Sequence, residues 1–330
     1  MAASGLVQEI VVVDSDAARA EGEAMDIAHA VPFQRPVRVR SGTLADTAGA
    51  VLTVIAAGAA QRAGETRPAL FLRNLAVVRQ VLEGVCRANP DGLLLVATNP
   101  VDALTTAALR LTGLPTARVI GSGTVLDSAR LRSELSMHYQ VDARNVHAYV
   151  LGEHGDAEFV AWSGASIANL KLADYCALTG MQCTFAPMQA IEERVRRAAY
   201  EIIRRKGATN FAIAASLLRI VEAIVRDEAA VLTVSSLLQG AYGIDGVCLS
   251  LPAVVGREGV RRTLPVPLDE AELAALLRSA DAVRAVLASA LDLPQPAAAT
   301  PVATSESANL QESPCPRPRP APSPSPGSRH

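Results

Sequence analysis

One histidine in the stretch VLGEHGDAE, His154, is flanked by Gly152 and Gly155 at the end of the apolar run NVHAYVLG. That setting leaves an imidazole accessible and its backbone free to turn, and imidazole is the side chain that exchanges protons near neutral pH. Alone, such a histidine is more often a surface or structural residue, so its partners matter. The stretch GSGTVLDSARLR supplies Asp127 and Arg130 three residues apart at the start of a helix, where both can point from one face. A lone pair of this kind is usually a solvated ion pair. Here it follows the strand end VIGSG, which predicts a place at a ligand crevice. A third stretch, QRAGETRPALFLRN, reads as a polar loop containing Gly64 with a helix after Pro68, the profile of a closing lid, and Arg67 sits near its end. No histidine is spaced with cysteines or carboxylates in a metal-ligand pattern, and no serine nucleophile constellation is present.

The elements that must position these residues alternate through the first half of the chain. EIVVVD, VRVRSG, VLTVIAAG, LLLVATN and RVIGSG read as strands, separated by the helical stretches AARAEGEAMDIAHA, FLRNLAVVRQVLEGVCRA and DALTTAALRL. That rhythm predicts an α/β, doubly wound parallel-sheet dinucleotide-binding domain over 1–122, with ligands at the carboxyl ends of the strands. Asp14, directly after EIVVV, is placed to accept hydrogen bonds from adenosine ribose hydroxyls and to repel a 2′-phosphate, which favours NAD over NADP. Gly58 in IAAGA lets the backbone approach the cofactor. From 123 to 293 longer helices mix with stretches such as AVLTVSSLLQGAYGI and VCLSLPAVVG, each read as strand, which predicts an α+β substrate domain. Residues 294–330 are rich in proline, serine and alanine, and such a tail is expected to be disordered.

Composition excludes several function classes. The 330 residues are half hydrophobic with a formal net charge of -2, which gives no electrostatic footprint for nucleic acid or an anionic membrane. The strongly apolar run VLTVIAAGAA is well short of the roughly 20 residues that span a bilayer, and Gln8 and Glu9 interrupt any secretory signal. Five cysteines without a C-x-x-C spacing read as reduced thiols in a cytoplasmic protein.

Taken together, TNPVD, GSGTVLDSAR, LGEHGD, KGATNFAI and LSLPAVVGREG, in this order from the start to roughly Leu291, make the chain resemble the L-lactate and malate dehydrogenase family, its L-lactate branch in particular. The resemblance implies an NAD-dependent, reversible hydride transfer between L-lactate and pyruvate. His154 matches the family's proton acceptor and donor, and Asp127 the carboxylate that fixes its tautomer. Arg130 matches the clamp on the substrate carboxylate, and Arg67 the lid arginine that stabilises developing charge. Asn99 matches a donor near the carbonyl and the nicotinamide ribose, and Thr209 lines the substrate pocket. Ser122 and Ile213 match cofactor contacts, Ile213 against the nicotinamide ring.

Gln61 matches the position that separates substrates, where glutamine looks like lactate and arginine like malate. Arg62 is next to it, so malate or another 2-hydroxy acid stays as the alternative. Arg132 and His147 resemble the pair that binds fructose bisphosphate in activatable bacterial members, although the same residue types occur in members without that regulation. The resemblance also implies a homotetramer.

MAASGLVQEIVVVD looks like the end of the family's first helix followed by its second strand. On that reading the first strand and the G-x-G-x-x-G turn are absent, and EIVVVD and VLTVIAAG should face a gap about 9 to 10 Å wide. Their unpaired backbone groups, at about 1 to 3 kcal/mol each when buried, would then be disabling. The expectation is that the natural protein begins upstream; a stop codon immediately ahead of Met1 would contradict it. The alternative of another class is a truncated, catalytically silent subunit or binding protein.

Overall fold

A computed structural model describes residues 1–59, 62, 64–181, 184–290 and 292–294. The chain opens with β1 (Glu9–Val12), α1 (Ala17–Ala30), β2 (Arg38–Ser41) and β3 (Leu52–Ile55), then α2 (Arg67–Ala88), β4 (Leu93–Val96), α3 (Val101–Thr112), β5 (Val119–Gly121) and α4 (Val125–Tyr139). Local chemistry sets these boundaries. Asp16 caps α1 by accepting from the Arg19 amide at 3.1 Å, and Thr66 caps α2 by accepting from the Ala69 amide at 3.3 Å. Because Thr66 is the cap, Arg67 is itself the first residue of α2 rather than the end of the loop, and Pro68 lies in the first turn, where a missing amide costs nothing.

The face of α2 formed by Leu70, Phe71, Leu75, Val78, Leu82 and Val85 is buried, each side chain contributing about 1.5–3 kcal/mol. It packs beside α3, whose residues from Val101 to Leu109 are all buried.

β1 and β2 form a parallel pair, with Glu9 opposite Arg38 and Val12 opposite Ser41. β3, β4 and β5 are parallel neighbours in a second sheet. Among the described residues neither β1 nor β3 carries a further strand on its other edge, as the expected gap requires. The expected penalty is smaller than the sequence reading assumed. β1 is half-buried throughout, as is β3 up to Val54, so their unpaired groups are not sealed from water.

The second half runs through β6 (Val146–His147), β7 (Val150–Leu151), β8 (Phe159–Val160), β9 (Ser166–Ile167) and β10 (Leu170–Lys171) to α5 (Leu172–Thr179), α6 (Phe185–Lys206) and α7 (Phe211–Val225). β11 (Ala230–Leu232), β12 (Ser235–Gln239), β13 (Asp245–Ser250), β14 (Ala253–Gly256), β15 (Gly259–Thr263) and α8 (Glu270–Leu287) complete it. The sheet containing β5 continues across the boundary expected at 122, because β12 pairs antiparallel with β5 and β13 with β12, in the order β13-β12-β5-β4-β3.

AVLTVSSLLQG is not one strand. The Thr233 carbonyl accepts from the Thr124 amide at 3.0 Å, and the chain switches there from β11 in one sheet to β12 in another. VCLSLPAVVG divides in the same way between β13 and β14, around Pro252. The tail beyond Pro294 lies outside the described residues.

Candidate active site

The site forms where β5 gives way to α4. Ser122 is buried, and its amide donates to the Val96 carbonyl at 2.8 Å. Gly123 follows with φ 53, and a side chain there would meet the Ser235 amide nitrogen at 2.5 Å and the Thr233 carbonyl oxygen at 2.6 Å. Thr124 is also buried and donates its hydroxyl to the Val150 carbonyl at 2.5 Å. α4 is thereby locked against β7, and Asp127 in its first turn is held beside the loop that carries His154.

Asp127 is 2 % exposed. One carboxylate oxygen, Oδ1, accepts from Arg130 Nη1 at 2.7 Å; the other, Oδ2, lies 2.6 Å from His154 Nδ1. A carboxylate only accepts, so Nδ1 carries the hydrogen, and Nε2 is the nitrogen left to exchange a proton. Burial lowers the proton affinity of the His154 imidazole, but the Asp127 carboxylate outweighs it and the pKa is pushed up to about 9. Asp127 moves the other way: burial favours its neutral form, and the charges of His154 and Arg130 hold it below the usual carboxylate range.

Arg67 reaches the same loop from α2. Its Nη2 donates to Asp156 Oδ2 at 3.1 Å, and Tyr200 donates its hydroxyl to Asp156 Oδ1 at 2.9 Å. A side chain on Gly155 would come within 2.8 Å of Arg67 Nη2, so the guanidinium rests against the residue next to His154. The structure thus brings four expected residues together: His154, Asp127, Arg130 and Arg67.

The remaining expected residues are distributed as follows. Asp14 lies exposed two residues beyond β1, its Oδ1 accepting from the Asp16 amide at 2.9 Å. Gly58 is packed so closely that a side chain would meet Thr98 Cγ2 at 2.5 Å. Asn99 is exposed at the end of β4, and its carbonyl accepts from Asn74 Nδ2 at 2.8 Å. Asp14, Asn99 and Ser122 all follow carboxyl ends of parallel strands, where a dinucleotide and its substrate would lie, so the residues present fit NAD at its ribose and nicotinamide ends.

Thr209 is half-buried ahead of α7 and Ile213 half-buried in its first turn; no hydrogen bond among the described residues ties them to His154. Arg132 donates from Nε and Nη2 to the Ala143 carbonyl, at 3.2 and 2.9 Å, while His147 is exposed in β6. Gln61 lies outside the described residues.

Sequence reasoning missed two buried carboxyls. Asp102 accepts from the His154 amide at 2.7 Å and from the Ser235 hydroxyl at 2.6 Å, and burial pushes its pKa up to about 7. It ties the histidine loop to α3. Glu158 offers an oxygen that lies, with ligand atoms of Asp127 and His154, in a group all within 4.8 Å of one another. Both residues stand inside stretches already singled out, TNPVD and LGEHGDAE, but nothing in their spacing signals burial. The expectation that no histidine shares a potential ligand set overlooked Glu158. The two cationic partners already held by Asp127 mark the cluster as a place for protons.

Two family models match nearly end to end: the lactate/malate dehydrogenase NAD binding domain over residues 1–121, and the alpha/beta C-terminal domain of the same family over 124–293. The chain is 50% identical to the L-lactate dehydrogenase of Moorella thermoacetica over 286 residues, 86% of this chain and 90% of that one. It is 47% identical to the L-lactate dehydrogenase of Thermoanaerobacter pseudethanolicus over 287 residues, 87% and 92% of the two chains. Among solved structures, a lactate dehydrogenase from a Medee basin deep-sea metagenome library superposes with a TM-score of 0.84 at 43% identity, covering 88% of this chain and 92% of that one. The ligand-bound minor L-lactate dehydrogenase of Enterococcus mundtii gives 0.84 at 37% identity, over 87% and 92%.

Proposed function

The chain belongs to the lactate/malate dehydrogenase family, and from that premise we propose that it is an NAD-dependent L-lactate dehydrogenase interconverting L-lactate and pyruvate. The observation that carries the reading is the shared carboxylate of Asp127, which holds His154 through Nδ1 and Arg130 through Nη1 at once. NAD, when bound, supplies the hydride acceptor, and its reduced form the donor.

The chain's own residues do the rest. In pyruvate reduction the charged His154 gives the proton on Nε2 to the carbonyl oxygen; in lactate oxidation the neutral ring takes the hydroxyl proton at the same atom. Asp127 keeps Nδ1 protonated and the ring oriented. Arg130 keeps guanidinium N–H groups beyond the one given to Asp127, and a planar fork with spare donors suits a substrate carboxylate. Arg67, at the start of α2 and next to Gly155, stabilises charge developing on the carbonyl oxygen.

The substrate-side roles of Gln61, Asn99 and Thr209 follow from family membership, as do cofactor contacts by Asp14, Gly58, Ser122 and Ile213. A division at 122/123 into NAD-binding and substrate domains, a homotetrameric state, a cytoplasmic location and a fructose bisphosphate site at Arg132 and His147 belong to the same reading. No helix among the described residues is long and apolar enough to cross a membrane. Cys86 and Cys248 are free thiols, which agrees with a reducing compartment.

Substrate choice tests the proposal. A second carboxylate facing neutral Gln61 is left unpaired at a cost of about 3 to 5 kcal/mol. NADH oxidation should therefore favour pyruvate over oxaloacetate by about 100-fold or more in kcat/KM. Equal or reversed preference would move the reading to a malate-type enzyme. The unpaired edges of β1 and β3 favour one other alternative, a catalytically silent subunit, and a folded protein that oxidises NADH with neither acid would support it.

A further inference from the structure

Glu158 ends the histidine loop. Its amide donates to the Gly155 carbonyl at 3.3 Å, and its carbonyl accepts from Arg196 Nη2 at 3.2 Å, which fixes the residue at both main-chain ends just before β8. The side chain is 6 % exposed, and no hydrogen bond to it is found among the described residues. Its carboxyl instead lies with those of Asp127 and the His154 ring in a group within 4.8 Å. The mechanism above makes no use of it.

Charged neighbours face this group from three elements: Asp127 and Arg130 from α4, Arg196 from α6, and His154 from the loop, with Asp102 of α3 acting in turn on His154. Both arginines have partners elsewhere: Arg130 pairs with Asp127, and Arg196 with Glu192 and Glu193. A second carboxylate in this space meets Asp127 as a like charge. Burial with that repulsion outweighs the opposing charges of His154, Arg130 and Arg196, none of which donates a hydrogen bond to it among the described residues.

We propose that Glu158 is a positioning residue for the proton-transfer step: a buried, uncharged acid at neutral pH whose own ionisation at higher pH holds the proton on His154. This rests on the dehydrogenase reading of the site. Burial, and then the Asp127 charge, push the Glu158 pKa up to about 8. Once Glu158 has ionised in the alkaline range, its negative charge beside His154 favours the imidazolium and delays loss of that proton. The cluster thereby extends the pH range over which pyruvate can be reduced.

The test is a pH profile of kcat/KM for pyruvate in the parent enzyme, Glu158→Gln and Glu158→Asp. Glutamine keeps size and removes ionisation, so the alkaline limb should fall at a pH lower by roughly half to one unit, with neutral-pH activity within about twofold. Aspartate keeps the acid and should remain close to the parent. Superimposed profiles for the parent and Glu158→Gln overturn the proposal, as do equal shifts in both variants, which would report packing alone. Infrared titration of the parent beside Glu158→Gln supplies a readout that needs no activity and separates Glu158 from the buried Asp102 carboxyl. A protonated-carboxyl stretch present in the parent at neutral pH, lost in the alkaline range and missing from Glu158→Gln supports the proposal, and identical carboxyl bands in the two proteins at neutral pH overturn it. A parent without NADH oxidation would instead be a failure of the dehydrogenase reading, leaving the infrared result to decide the role of Glu158.

Discussion

Replacing His154 by glutamine is expected to lower kcat for pyruvate reduction by about 10²- to 10⁴-fold, the usual contribution of a positioned general acid. Glutamine can still donate a hydrogen bond to a carbonyl, so KM should change much less than kcat. The same substitution has a stability signature with a definite sign. The folded-state pKa of His154 is raised from 6.5 to about 9, so its charged form contributes stability that is fully present below 6.5 and is lost as pH rises to about 9. The variant should melt below the parent in mildly acidic buffer, and the gap should narrow through that window. Thermal melts at several pH values, run beside steady-state kinetics, check both halves. A variant that keeps parental kcat would remove His154 from the proton-transfer role.

Arg130→Lys should be nearly as damaging, and in a different parameter. Arg130 is 14 % exposed at its side chain and already commits Nη1 to Asp127, so a substrate carboxylate depends on the other arms of the same planar group. An ammonium has no fork with which to serve both partners. Losing one of two charge-assisted bonds at a largely buried site is worth about 1.5–3 kcal/mol, which predicts a fall in kcat/KM of about 10- to 200-fold, mostly through KM. A lysine variant within twofold of the parent would mean that the substrate carboxylate is held elsewhere.

The reach of sequence reasoning follows the range of the forces involved. Asp127 and Arg130 were legible because a three-residue spacing on one helix face is a local property, and the strand end VIGSG ahead of them fixed their side of the sheet. Arg67 was found in its loop, but its place as the first residue of α2 depends on the Thr66 cap, a matter of one hydrogen bond. Asp102 and Glu158 stayed hidden because a carboxyl becomes chemically unusual only when distant segments bury it. Asp102 meets Ser235 across 133 residues, and that contact exists only once β12 has joined β5. The break in AVLTVSSLLQG escaped notice for the same reason: Thr233 turns the chain to meet Thr124, and no periodicity within the strand announces it. The unpaired edge of β1 was legible, whereas the solvent access that softens its cost was not.

The most direct test of the account measures kcat/KM against pH in both directions with the same protein. If His154 carries the transferred proton, pyruvate reduction needs the charged ring and should stay level up to about 9, then fall; lactate oxidation needs the neutral ring and should rise toward the same value. Opposite limbs meeting at one apparent pKa, both abolished in His154→Gln, are the result predicted. Limbs of the same sign in the two directions, or a shared pKa that survives the substitution, would contradict the assignment of the proton to His154.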